Sequence, residues 1–158
     1  ILYRRDFGKT QGGFLTSRIK QVSARIFGEL LEDYGIREFN GAQGKILYVL
    51  WECGEIPISQ ISRRTSLAKT TLTSMLDRME QGGLVKRRHN PENRREILVS
   101  ITPEAQRLRK EYDAVSQQIN EVYYRGFTEN EIQQHETYLA RILANLEEYE
   151  TLNGRKTI

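Results

Sequence analysis

The sequence predicts a mainly helical fold that carries one small β-hairpin. Apolar residues recur at steps of three and four through most of the chain, which is the spacing of amphipathic helices. Near residues 97–101 apolar and polar residues alternate instead, which is typical of a half-buried strand. With 158 residues, 38% of them hydrophobic and 28% charged, the chain is expected to form one globular domain with helical extensions.

The first predicted helix covers residues 14–35 and follows a polar arm over residues 1–13. In this arm, Arg4 and Arg5 are expected to be solvated. Gly35 is placed to end the helix. The apolar residues of the helix form one stripe, at Leu15, Ile19, Val22, Ile26 and Leu30.

A second helix is predicted from Asn40 to about Cys53. Asn40 is a favourable N-cap residue, and Gln43 three residues later completes the pattern of a capping box. Gly54 is placed to end the helix, and the next three residues are expected to be extended.

Two short helices with a tight turn between them are predicted next. Residues 58–65 form the first, and Thr65-Ser66 leads into the second, which ends at Gly82-Gly83. One face of the second helix is apolar, with Ala68, Leu72, Met75, Leu76 and Met79. Its other face is polar, with Lys69, Thr70, Thr73, Ser74, Asp77 and Arg78. This is a helix-turn-helix arrangement with an exposed polar row.

The hairpin follows directly after this helix. Residues 84–89 form its first strand, residues 90–93 form the turn, and residues 94–102 form the returning strand. Basic residues cluster on both strands, at Lys86, Arg87, Arg88, Arg94 and Arg95. A polar-faced helix followed by a basic hairpin predicts a winged helix-turn-helix lobe over residues 40–102.

Two further helices are predicted over residues 103–152. Thr102 and Pro103 provide a cap and a first-turn proline for a helix that runs to Gly126. Thr128 and Glu131 form a capping box for the second. Their narrow, heptad-like apolar stripes are typical of helices that pack on other helices. Together with residues 14–35 they are therefore predicted to form a subunit interface, with His135 packed on its seam.

Positive charge is concentrated in the middle of the chain. Residues 57–97 contain nine basic and four acidic residues, whereas the whole chain has a net charge of +3. Local basic charge on a weakly charged scaffold favours binding to a polyanion. The predicted contacts to double-stranded DNA are Arg63, Arg64, Lys69, Thr70, Thr73, Ser74, Arg78, Lys86, Arg87, Arg88, Arg94 and Arg95.

Catalytic and metal-binding motifs are not found in the sequence. It contains no glycine-rich phosphate loop, no CxxC and no HxxxH, so we expect no enzyme, metal or cofactor. The single cysteine, Cys53, is expected to be a small buried apolar residue. One cysteine, no signal-peptide pattern and no long apolar run favour a cytoplasmic protein that does not enter a membrane.

The segments DRMEQGGLVKR and NPENRREILVSIT resemble the MarR family of winged-helix transcription regulators, and the resemblance in element order covers essentially the whole chain. It implies a homodimer that presents two reading helices to a palindromic operator, and it implies that Arg94 or Arg95 is the wing-tip arginine. Three positions depart from the family pattern. Asn90 and Asn93 replace aspartates, which is expected to leave the wing less rigidly held. Ser74 replaces a frequent arginine, and Ala105 replaces a frequent glycine.

Two questions stay open at this level. Six aromatic residues either line a site for a small anionic aromatic effector, as the resemblance implies, or simply pack the core: Phe14, Phe27, Tyr34, Phe39, Tyr48 and Trp51. The competing function is a winged-helix module that binds another protein and no nucleic acid. The basic and hydroxylic character of the reading helix and wing argues against it.

Overall fold

The computed structural model describes residues 6–154, so the part of the predicted arm before residue 6 lies outside it. The helices are α1 Gly12–Asp33, α2 Gly41–Cys53, α3 Ile58–Thr65, α4 Lys69–Gln81, α5 Pro103–Arg107, α6 Arg109–Tyr123 and α7 Glu129–Leu152. The strands are β1 Ile56–Pro57, β2 Val85–Asn90 and β3 Asn93–Ile101. The predicted mainly helical fold with a small hairpin is confirmed.

The three strands form one antiparallel sheet with β3 in the centre. Val99 of β3 lies opposite both Ile56 of β1 and Arg87 of β2, which fixes the register across the sheet. An irregularity between His89 and Asn90 precedes the turn at the wing tip. The short β1 therefore attaches the wing to the segment between α2 and α3.

A single apolar core holds α2, α3, α4 and the sheet together. Its most deeply buried side chains include Ile46, Leu47, Leu50, Ile61, Leu72, Leu76, Met79, Val85 and Val99. Leu72, Leu76 and Met79 come from one stripe of α4, so the opposite face of this helix must point outward. Ala68, which we expected on the apolar face, is instead exposed at the N-cap of α4, because the helix begins one residue later.

The turn between α3 and α4 is fixed by a left-handed residue and a buried hydroxyl. Ser66 has a φ of 60°, a conformation that short polar side chains tolerate better than most. Ser62, which is fully buried, donates a hydrogen bond of 2.6 Å to the carbonyl oxygen of Leu67. These contacts set the angle at which α4 leaves the core.

The predicted helix caps are confirmed. Capping boxes are present at Asn40 with Gln43 and at Thr128 with Glu131. Thr102 accepts a hydrogen bond from the Ala105 amide and donates one to the carbonyl oxygen of Gly83, so a single side chain starts α5 and closes the base of the wing.

The helix expected from Pro103 onward is interrupted at Leu108, which separates α5 from α6. The Leu108 amide donates to Ala105, a tighter turn than an α-helix makes, and Leu108 packs against the core. Immediately after the break, Arg109 donates to the Trp51 carbonyl oxygen and to Glu52, which anchors the start of α6 on the end of α2. Residues 106–110 contain neither glycine nor proline, so the sequence gives no local signal for this change of direction.

The terminal helices contrast with the core. No residue of α7 is buried. Ile142, Leu146 and Tyr149, which belong to its apolar stripe, are 53%, 60% and 57% exposed. The first half of α1 is similar, with Phe14, Leu15 and Ile19 exposed. Within residues 6–154, no helix is both long and apolar enough to cross a membrane.

Candidate nucleic-acid interface

The outward face of α4 carries the predicted polar row. Lys69, Thr70, Ser74 and Arg78 are exposed, and Thr73 is half-buried. The burial of the opposite stripe leaves this face free to enter a groove, where lysine and hydroxyl groups can pair with base edges. The Arg78 side chain reaches back to the Ser74 hydroxyl at 3.4 Å, so these two residues lie side by side on the face.

Two arginines lie at the C-terminal end of α3. Arg63 and Arg64 occupy the last turn of α3 and are exposed. In the described part of the chain, neither has an ion-pair partner. Their charge is therefore available for phosphate on the side of α4 that faces α3.

The wing tip is braced by its asparagines. The Asn90 side chain donates to Glu96 at 2.9 Å and accepts from the Glu92 amide at 3.0 Å. Asn93 accepts from the Arg95 amide at 3.2 Å. The expected loss of rigidity without aspartates is therefore countered by a local network in which Glu96 supplies the acid.

Arg94 and Arg95 follow this turn and are exposed. Across residues 6–154, no carboxylate forms an ion pair with either guanidinium. A free arginine at the end of a rigid hairpin suits the narrow minor groove or its phosphates. The structure thus presents both predicted wing-tip cations toward solvent.

The remaining wing cations fall into two groups, because side chains on a strand alternate between its faces. Lys86 and Arg88 point to one face of β2, where Arg88 forms a two-point ion pair with Glu55 at 2.7 and 3.1 Å. Arg87 points to the other face, toward α4, and contacts Asp77 at 2.7 Å and Glu80 at 3.3 Å. The sequence reading assigned both arginines to DNA without detecting these carboxylates.

The ion pairs shift the pKa values of their members. Hydrogen bonds from Arg87 lower the pKa of the Glu80 carboxyl, and those from Arg88 lower the pKa of Glu55. In return, Glu80 raises the pKa of Arg87, and Glu55 raises that of Arg88. Both pairs are therefore fully ionised near neutral pH.

The aromatic residues proposed for an effector site divide into three sets. Phe27, Phe39, Tyr48 and Trp51 pack around Tyr112 of α6, with ring centroids 5.1–6.1 Å from the Tyr112 ring. Tyr34 is exposed and its hydroxyl donates to Gln118. Phe14 is 67% exposed and lies against Arg18.

Tyr112 is the centre of this cluster, although nothing in its local sequence predicts that position. Gly44 allows its close approach, because a Cβ there would lie 3.0 Å from the Tyr112 ring and 3.2 Å from the Phe39 ring. Burial raises the pKa of the Tyr112 hydroxyl. Most of these aromatic residues therefore pack tightly between α1, α2 and α6.

A cavity of about 480 Å³ lies beside this cluster, between α1, α2 and α6. Phe27 and Ile119 form apolar parts of its wall, and the polar part includes Lys20, Lys45 and Asn40. An apolar wall with two nearby ammonium groups suits a small anionic aromatic molecule. Phe39 lines a second cavity farther along α1, next to Gly28, Leu31 and Ile36.

Other reactive side chains show no organised site. In the described residues, no cluster of three or more histidine, cysteine or acidic residues could hold a metal. Cys53 is half-buried, as a small apolar residue at the edge of a core would be. His135 lies between Tyr123 and Tyr124, beside the exposed apolar face of α1 and α7.

Comparisons with known proteins agree with this geometry. The MarR family model matches residues 39–97. The chain is 30% identical over 138 residues to the HTH-type transcriptional repressor MdtR of Bacillus subtilis, a match that covers 87% of this chain and 89% of MdtR. A MarR mutant from E. coli complexed with operator DNA aligns with a TM-score of 0.73 and 26% identity, over 83% of this chain and 92% of that chain.

A further similar structure is that of Bordetella bronchiseptica BpsR, whose DNA binding is described as regulated by 6-hydroxynicotinic acid. It aligns with a TM-score of 0.72 and 25% identity, over 85% of this chain and 99% of that chain. The fold and the exposed face of α4 thus define a DNA-binding winged helix. The chain belongs to the MarR family of transcriptional regulators.

Proposed function

We propose that this regulator is a repressor that binds a palindromic operator as a homodimer. The observation that carries the proposal is the polar face of α4, flanked by exposed arginines of α3 and the wing that have no carboxylate partner among residues 6–154. Lys69, Thr70, Thr73 and Ser74 would read base edges. Phosphate and minor-groove contacts would come from Arg63, Arg64, Arg78, Lys86, Arg94 and Arg95.

The uncovered terminal helices support the homodimer. Exposed apolar side chains extend along α7 and the start of α1, including Phe14, Leu15, Leu139, Ile142, Leu143, Leu146 and Tyr149. An apolar surface of this extent is unfavourable in water and marks a protein interface. The heptad spacing of the α7 stripe fits a second copy of the same helices, and two-fold pairing would give two α4 helices for two half-sites. MdtR, which is similar to 87% of this chain, is named a repressor.

The test is selection of binding sites from random duplex DNA by the purified protein. We expect inverted half-sites whose centres are about 10 base pairs apart. Affinity for the selected site should fall with salt with a slope close to 0.9 for each neutralised phosphate, on the order of several phosphates per subunit. Binding that shows no sequence enrichment and no dependence on salt would reject the proposal.

Substitutions separate the roles of the contacts. Arg95→Gln should weaken binding to all duplexes and reduce the salt slope by about 0.9. Thr70→Ala should instead change the preferred bases at one position of each half-site. Arg107→Gln, the same chemical change outside the predicted contacts, serves as the control. Full loss of binding by Arg107→Gln would show that the assay reports folding and not contact.

We also propose an effector site in the cavity between α1, α2 and α6. Its cationic groups, Lys20 and Lys45, support an anionic aromatic compound as the ligand class. Titration with hydroxylated benzoates and nicotinates should release DNA and change the fluorescence of Trp51, which packs on the adjacent Tyr112. Lys45→Gln should raise the effector concentration needed. The absence of any effect across the panel would leave the aromatic residues with a packing role alone.

The competing function is a winged-helix module that binds protein. It favours a wing and reading helix that are apolar or acidic, whereas the exposed residues that α4 and the wing tip present at Lys69, Thr70 and Ser74 and at Arg94 and Arg95 are basic or hydroxylic. In the same selection experiment this function predicts no enriched duplex at all. The proposed regulator would act in the cytoplasm, where its DNA is located.

A further inference from the structure

Arg87 differs from every other cation of the wing in its surroundings. Its side chain is only 21% exposed, and it lies between β2 and the last turns of α4. Its Nη2 is 2.7 Å from Asp77 Oδ1, and its Nε is 3.3 Å from Glu80 Oε2. The Arg87 backbone amide also donates to Glu80, at 3.0 Å.

These contacts connect two elements that both face the proposed DNA surface. Asp77 and Glu80 are one turn apart on α4, and Arg87 follows the Gly82-Gly83 turn on the first strand of the wing. A planar guanidinium can hold two carboxylates and keep fixed angles to both, which an ammonium group cannot do. The pairing thus joins the helix that would enter the major groove to the hairpin that would reach the minor groove.

We infer that Arg87 is a positioning residue, which fixes the angle between α4 and the wing and does not itself neutralise a DNA phosphate. This inference rests on the proposed DNA binding, and it reassigns one of the predicted contacts. The two carboxylates already compensate its charge. Arg94 and Arg95, which have no such partners in residues 6–154, supply charge to the backbone.

The salt dependence of operator binding separates the two roles. Arg87→Gln should reduce affinity for the selected operator severalfold, because the two reading elements lose their common orientation, while the slope against salt stays within error. The matched controls Arg94→Gln and Arg95→Gln should each reduce the slope by about 0.9. A reduction of that size for Arg87→Gln would overturn the inference.

Asp77→Asn gives a second readout that a phosphate contact would not produce. If Asp77 merely competed with phosphate for Arg87, its neutralisation would release the arginine and tighten binding. We expect the ratio of operator affinity to scrambled-duplex affinity to fall instead. The double variant Asp77→Asn/Arg87→Gln should lose no more than the worse single variant, because both changes break one connection. Additive losses, or a higher ratio for Asp77→Asn, would contradict the positioning role.

Arg87→Lys tests the need for a forked side chain. As a phosphate ligand, lysine would restore most of the affinity, whereas as a connector to two carboxylates it should restore little. Amide hydrogen exchange without DNA completes the test and does not depend on the proposed function. Arg87→Gln should speed exchange in β2 and at the end of α4, and leave α2 unchanged. Unchanged exchange in β2 would reject the connection even if DNA binding were absent.

Discussion

The winged-helix lobe and the terminal helices solve the same problem, the burial of apolar stripes, to different extents. In the lobe, Leu72, Leu76 and Met79 of α4 are fully buried by residues of the same chain. On α7 the equivalent stripe is exposed, and Leu146 is 60% accessible. Amphipathic periodicity therefore predicts that a face will be covered, but not whether its cover comes from the same chain.

The largest expected effect comes from a charge placed in the uncovered stripe. Leu146→Glu should dissociate the proposed homodimer, because a buried carboxylate without a partner cannot be accommodated in an apolar interface. Analytical ultracentrifugation should show a monomer. Operator affinity should fall by orders of magnitude, since a monomer contacts only one of the two half-sites.

Ala144→Glu is the matched control for this substitution. It places the same charge two residues earlier, on the opposite side of α7, and should leave the dimer intact. If both variants remain dimeric, the stripe is not the interface, and the contrast between the two regions would need another explanation.

The lobe should respond to a change of packing within one chain. Leu76→Ala removes a fully buried side chain of α4 and is expected to cost about 2–5 kcal/mol of unfolding free energy. Denaturant unfolding at several protein concentrations measures the loss. The loss should persist in the monomeric Leu146→Glu background. Its disappearance there would show that the lobe has no folded state of its own.

Two glycines sharpen the comparison further. Gly44→Ala should destabilise by about 1–3 kcal/mol, because the added methyl would press on the rings of Tyr112 and Phe39. Gly28→Ala in α1 meets no atom within 4 Å and should stabilise by roughly 0.5–1 kcal/mol through a lower backbone entropy of the unfolded chain. Thermal unfolding resolves the opposite signs. A destabilising Gly28→Ala would indicate that a partner subunit packs closely against this part of α1.

The same contrast explains which features the sequence could predict. The capping boxes at Asn40 and Thr128 depend on residues three positions apart, so the sequence determines them locally. The end of α4 at Gly82-Gly83, where Gly83 adopts the left-handed conformation, was predicted for the same reason. The apolar stripe of α4 was also readable, because helical spacing alone fixes which residues share a face.

Contacts between residues that the fold brings together from separate segments could not be predicted from the sequence. Arg87 meets Asp77 and Glu80 because a glycine turn folds β2 back along α4, and Arg88 meets Glu55 across the sheet. Both arginines therefore looked like free cations in the sequence. The position of Tyr112 at the centre of the aromatic cluster likewise depends on how α6 crosses α2, and the break at Leu108 follows from packing and not from a local signal.

The smallest expected effect is a pH dependence of wing stability. The folded-state pKa of Glu55 lies below its ordinary value of 4.5, chiefly because of the hydrogen bonds from Arg88. A depressed carboxyl pKa contributes stability that is present above the unfolded-state pKa and is lost as the pH falls through the folded-state value. Because the Arg88 side chain is 57% and the Glu55 side chain 32% exposed to solvent, the contribution is small and screened by salt.

Glu55→Gln should therefore speed amide exchange in β2 slightly at pH 6, and its difference from the wild type should shrink as the pH falls below 4.5 and the wild-type Glu55 takes up a proton. The assignment of this small stabilising effect to the charge of Glu55 depends on this convergence. A difference between the two proteins that does not shrink as the pH falls would show that Glu55 acts through packing and not through its charge. In that case the two ion pairs of the wing would differ in kind, and only the Arg87 pair would hold the hairpin electrostatically.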